Sequence, residues 1–254
     1  MKIFKSATSL LLIFTVILGC LASCDFAGGD EEINGEIYRA DISISYATSD
    51  PAMKDAVAAM KGVEAKLFVN GNNIQVESKT ELSSGSVEES YICVDNVVYH
   101  SQQITVGEFK QEVKNSAFLD EMDRADLQGH IGYGMNISID DFADVTSESF
   151  GDNSYYTCSG ILEDSKASLT KIFNSGLSQD QSCVIKNVEY MVSMQGELVT
   201  ESVLSCSFVV SIGDNDYEIT MHIDRVFTYL TELEIVAPTD VENYQNVHCT
   251  EMFR

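Results

Sequence analysis

Apolar and polar side chains alternate along much of the chain from residue 37 onward, the period of a strand with one buried face. Tyr38, Ala40, Ile42, Ile44 and Tyr46 share one side, and Arg39, Asp41, Ser43 and Ser45 share the other, which predicts a half-buried strand. Asp50-Pro51 then predicts a short helix, with Asp as its cap and Pro at its first position, running through Val57 and Met60 and stopping at Gly62. Two runs, 65–69 and 74–77, flank Asn70-Gly71 and predict a hairpin; a second hairpin is predicted from 88–94 and 97–105 around Asp95-Asn96.

The spacing changes over 108–128. Phe109, Val113, Phe118, Leu119, Met122 and Leu127 predict one or two helical segments closed by Gly129. Strands resume at 144–150 and 154–161 around Gly151-Asp152-Asn153. Ser165 is then the predicted cap of a helix that carries Leu169, Ile172 and Phe173 and ends at Gly176. Alternation is clearest near the C-terminus: Val188, Tyr190, Val192 and Met194; then Leu204, Cys206, Phe208, Val210 and Ile212; then Tyr217, Ile219, Met221 and Ile223. A last strand is predicted over 231–236, before Pro238. Short turns between strands mean antiparallel pairing. The expectation is an α+β fold: a single curved antiparallel sheet, an incomplete β-barrel, with helices packed on its concave face. No composition break divides it, so one domain is expected over 33–247, with a tail over 248–254.

The first residues read as an address. Lys2 and Lys5 precede the apolar run 10–18, which is too short to span a bilayer. Leu21-Ala22-Ser23-Cys24 follows and matches the lipobox of bacterial lipoproteins. That predicts a signal peptide over 1–23, cleavage between Ser23 and Cys24, and a diacylglycerol thioether on Cys24. Ile17-Leu18-Gly19-Cys20 is a second candidate, with a bulky Leu where a small residue is preferred. Residues 24–32, with Gly28-Gly29 and the acids Asp25, Asp30, Glu31 and Glu32, form an acidic, flexible tether. The expected location is the bacterial cell envelope, outside the cytoplasmic membrane.

Charge narrows the partners. The whole chain carries 15 basic and 40 acidic side chains, a net charge of -25. Removing Lys2 and Lys5 with the signal leaves 13 basic groups and a net charge of -27. Phosphate binding rests on Lys and Arg, so a nucleic acid is not an expected partner.

The lipobox, the long antiparallel strands, two helical inserts and a closing strand with Pro near its end resemble the LolA/LppX-like lipoprotein carriers. The resemblance covers most of 33–245 in topology and pattern, and it has no diagnostic motif. It implies an incomplete barrel of about eleven strands around helices, with acyl chains held between them; no functional residue carries over.

Candidate chemistry is sparse. Phosphate loops, zinc-protease helices and nucleophile elbows are absent from the sequence, and no two of His100, His130, His222 and His248 stand at metal-ligand spacing. His222 shares a polar strand face with Glu218, Thr220 and Asp224 and reads as a solvated side chain. The clusters at Asp140, Asp141 and Asp144 and at Asp214 and Asp216 lack the twelve-residue calcium loop. Cys93, Cys158, Cys183, Cys206 and Cys249 are odd in number, so at least one stays free or pairs outside the chain, and Cys206 reads as a small core residue. No catalytic residue, metal or cofactor is expected. Two functions remain open: a membrane-anchored lipoprotein that binds a lipid or other hydrophobic ligand between sheet and helices, or a non-catalytic envelope interaction or structural lipoprotein with a filled core and no small ligand.

Overall fold

The computed structural model describes residues 37–82, 84–119, 137–175, 181–212 and 215–248. The signal peptide, Cys24, the tether, His130 and Cys249 lie outside them. Twelve strands form one open sheet: β1 (Ile37–Ala47), β2 (Met60–Asn70), β3 (Asn73–Leu82), β4 (Gly85–Val94), β5 (Val97–Val106), β6 (Phe109–Phe118), β7 (Phe142–Phe150), β8 (Asn153–Ile161), β9 (Gln181–Gln195), β10 (Leu198–Ile212), β11 (Asn215–Tyr229) and β12 (Gln245–Asn246). Their spatial order is β12-β6-β5-β4-β3-β2-β1-β11-β10-β9-β8-β7. Two meanders, β1–β6 and β7–β11, therefore meet where β1 pairs with β11, with Tyr38 opposite Tyr229. The described helices are α1 (Lys54–Ala59) and α2 (Glu163–Ser175), beside two short 3-10 turns. The fold is thus mainly β, not α+β. It is also mixed, because β12 lies parallel to β6.

The apolar positions of the strands make one core. Ile42, Ile44, Val76, Val98, Val188, Leu204, Cys206, Ile219 and Ile223 are all fully buried on the same side of the sheet. Fully burying an Ile or Leu side chain stabilises by about 1.5–3 kcal/mol. Helix α2 covers part of this side through Leu169 and Phe173, whose ring lies 5.1 Å from that of Phe208. Met53 and Val57 of the α1 region join the same cluster.

Several expectations are corrected. Residues 109–118 form strand β6, paired with β5 along its length, and not a helix. Its apolar side chains are not periodic because it lies near the sheet edge and buries Ala117 rather than Phe109 or Phe118. Gly62 does not stop α1, which ends at Ala59. It sits in a register shift of β2 with φ +94, its Cα so close to the Ile44 carbonyl that a Cβ would lie 2.6 Å from that oxygen. Asp50 does accept a hydrogen bond from the Ala52 N–H at 2.8 Å, but it caps the turn before α1. Ser165 lies inside α2 and donates to Asp141 Oδ1 at 2.7 Å instead of capping.

The predicted strand over 231–236 is also absent. Residues 230–244 run as an irregular strap. The Leu230 N–H bonds the Ile37 carbonyl at 2.8 Å, and Asn70 Nδ2 donates to the Leu233 carbonyl at 2.6 Å. Within it, Ile235 is buried. The strap then reaches β6, where Lys114 Nζ meets Asp240 Oδ2 at 2.8 Å, and β12 closes the end.

Candidate functional site

The polar side of β1–β6 holds an open trough of about 510 Å³. Strand pairing builds its floor as two cross-strand rows. The first runs Asp41, Lys66, Glu77, Ser90, Ser101 and Lys114; the second runs Ser43, Glu64, Lys79, Glu88, Gln103 and Glu112. Directly opposed side chains on one face sit close enough to interact, so each Lys is bracketed by acids. Lys66 stands between Asp41 and Glu77. Lys79 lies 3.3 Å from Glu81 and 4.0 Å from Glu88. Lys114 lies 3.1 Å from Glu112 and bonds the strap through Asp240. Carboxylates outnumber lysines along the lining, so the concavity is net negative. The trough lies on the polar side of these strands, while Met53 and Val57 of the α1 region belong to the apolar cluster on the other.

The strap packs on β5 and β6. Tyr244 meets Tyr99 edge-on at 5.5 Å, with Lys114 Nζ 5.9 Å from the Tyr244 ring. The hydrogen bonds that Lys114 donates to Asp240, first, and to Glu112 push its pKa well above the ordinary lysine range. The Lys114 and Asn243 hydrogen bonds in turn hold Asp240 below the usual carboxylate range.

The apolar side also carries polar groups. On β4 and β5, Glu89 Oε1 accepts from His100 Nε2 at 2.8 Å, from Tyr91 Oη at 3.0 Å and from Gln102 Nε2 at 3.3 Å. The His100 ring stacks on Tyr91 at 4.3 Å. A carboxylate can only accept, so Nε2 carries the proton it donates. His100 Nδ1 is buried and has no hydrogen-bond partner. On β11, Arg225 stands opposite Ser202 and Ile42, and desolvation lowers its pKa against the influence of Tyr190 and Tyr38. Sequence reading passed over both groups. The signal available was a charged or polar residue at an inward position of an otherwise apolar strand.

The structure places the other candidate residues apart. His222 lies on the polar face between Ser45 and Ser205. Asp141 is engaged by Ser138 and Ser165, and Asp216 by Ser211, so these acids are turn and helix partners. Among the described residues, no three His, Cys, Asp or Glu side chains gather as a metal site. Cys158, Cys183 and Cys206 are buried free thiols, and Cys93 is buried too. Burial pushes the Cys183 thiol up to about 12. Burial, then the neighbouring Cys183, does the same to Cys206, up to about 12.

No described helix is long and apolar enough to cross a membrane. No protein-family model matches the chain, and no curated protein does. Among solved structures it is distantly similar to the YwiB protein of Bacillus subtilis, at 10% identity and a TM-score of 0.23, over 75% of this chain and 91% of that one.

Proposed function

We propose that the protein is a lipid-anchored, non-catalytic envelope protein that binds a cationic partner in the trough of β1–β6. The observation that carries this reading is the trough itself: a concave polar surface with a surplus of carboxylates and with its lysines already bracketed by acids. A field of one sign in a cleft concentrates the opposite charge and speeds encounter. The lipobox at Leu21-Ala22-Ser23-Cys24 supports the anchor.

Calorimetric titration of the protein with pentalysine tests the trough. Binding is expected at low salt, weaker at physiological salt, and at least about tenfold weaker in Glu64→Gln/Glu77→Gln/Glu88→Gln. Equal affinity in the triple variant would sink the reading. Labelling with palmitate tests the anchor, which should disappear in Cys24→Ala.

A second reading, a carrier of a lipid or other hydrophobic ligand on the apolar side, is favoured by the unpartnered His100 Nδ1. It is the reading that the likeness to LolA/LppX-like carriers supports. A ligand hydroxyl could donate to that nitrogen. Native mass spectrometry after mild extraction from the host would reveal the bound molecule, and protein found only ligand-free would count against it.

A further inference from the structure

We infer that one rim of the sheet, the rim level with Ile37, faces the membrane and rests its exposed apolar side chains on a zwitterionic lipid surface. The inference rests on the anchored reading above. In an antiparallel sheet, the start of one strand lies level with the end of the next. The start of β1 therefore lies on the same rim as the ends of β6, β7 and β11 and the starts of β8 and β10.

That rim is where the chain arrives from the anchor. Thirteen residue steps separate Cys24 from Ile37, an extended reach of at most about 45 Å. Such a tether holds the body near the bilayer but does not orient it. Exposed apolar groups on the same rim can. Phe118 at the end of β6 is 69% exposed, and Phe150 at the end of β7 is 66% exposed. Leu198 begins β10, and Tyr155 packs against Phe150 with ring centroids 6.5 Å apart. Val236 is exposed in the strap that starts at the Leu230–Ile37 bond. Once the anchor makes the encounter intramolecular, a few weakly inserting side chains suffice.

Charge selects the kind of surface. Asp95, Asp152 and Glu197 occupy turns on this rim, and Glu232, Glu234 and Glu242 lie in or beside the strap. They oppose an anionic surface and confine contact to the head-group layer of a neutral one. The opposite rim also has an apolar tip, Val106 and Phe109, flanked by Glu108 and Lys110. It lies a full strand length from the point where the tether joins.

The chain contains no tryptophan, so a single introduced indole reports its own position. The mature lipidated protein is reconstituted into phosphatidylcholine vesicles as Phe118→Trp, Phe150→Trp or Phe109→Trp. All three sites are exposed and tolerate an indole. With brominated phosphatidylcholine, emission from positions 118 and 150 should fall roughly twofold and shift blue, while position 109 stays unquenched. Adding anionic lipid should reduce that quenching. Protein that does not float with the vesicles would overturn the anchored reading and this inference together. Protein that floats with positions 118 and 150 unquenched, or with 109 quenched equally, would overturn this inference alone.

Discussion

At Gly62 the backbone occupies φ +94, where L side chains are strained, and a Cβ would press on the Ile44 carbonyl at 2.6 Å. Gly62→Ala should therefore destabilise by about 2 kcal/mol or more, read as a lower urea midpoint with unchanged slope. At Gly85 a Cβ would collide with the Thr105 carbonyl of the paired strand, so Gly85→Ala should open the end of the β4–β5 pairing. The Glu89 group obeys a different rule. Removing its carboxylate takes the acceptor from the buried His100 Nε2–H and from the half-buried Tyr91 and Gln102 donors. Each buried unsatisfied donor costs about 1–3 kcal/mol, so Glu89→Ala should cost more than His100→Ala, and a double-mutant cycle should show strong coupling. The core thiols give a third test. Neutral thiols with pKa values raised to about 12 stabilise the fold at neutral pH, and that contribution falls as pH rises above the ordinary thiol range toward 12. In a Cys249→Ser body lacking residues 1–24, the thiols should resist Ellman's reagent at pH 8 until the protein is unfolded. Rapid reaction in the native state would contradict the burial.

Among the elements, the hairpins were the most legible from sequence. Asp95 and Asn96 adopt φ +53 and +64, the pair of positive values that a two-residue I′ turn demands, and both residue types tolerate it. Gly71 was equally informative, although the loop is Gly71-Asn72: β2 runs through Asn70, one residue past its expected end, and β3 begins at Asn73, one residue before its expected start. β6 was illegible because Glu, Lys and Gln favour a helix while pairing with β5 decides the outcome. The strap was illegible for another reason: 231–236 has a strand's composition, but β11 already extends to Tyr229, and the strap's partners are separate groups scattered over β1, β2 and β6. The two-row trough follows from register, which no single strand encodes.

The strap latch has a defined pH window. Asp240 has a depressed folded pKa, so its contribution is present above the ordinary carboxylate range and is lost as pH falls through the lower, folded value. Lys114 has a raised folded pKa, so its contribution is complete below the ordinary lysine range and is lost only at more alkaline pH. Both are half-buried at the surface and screened by water, so the global effect is small. Asp240→Asn should speed amide exchange across 230–247 while leaving the melting temperature within about 2 °C. Unchanged exchange there would mean that the backbone bonds at Leu230 and Val247 hold the strap without the latch.

At the scale of the whole molecule, two meanders share one apolar layer, and apart from Glu89 and Arg225 the charged strand positions named above lie on the other side. The strong alternation of β1, β9, β10 and β11 made the layer readable, and the buried positions of β1 fall where the sequence placed them. On β9 the buried positions step from Ile185 to Val188, because a register shift against β10 inserts an extra residue there. On β1–β6 the polar side carries the charged trough.

The join between the meanders carries one further consequence. Because Tyr38 must find Tyr229, the middle of the sheet cannot form until almost the whole polypeptide has been synthesised. Closing so long a loop is slow, and most local hairpins are complete well before it. On the proposed reading of an exported, anchored protein, a seam that closes last would keep the chain threadable. Ribosome-bound chains that stop before residue 215 should remain sensitive to a protease that the finished protein resists.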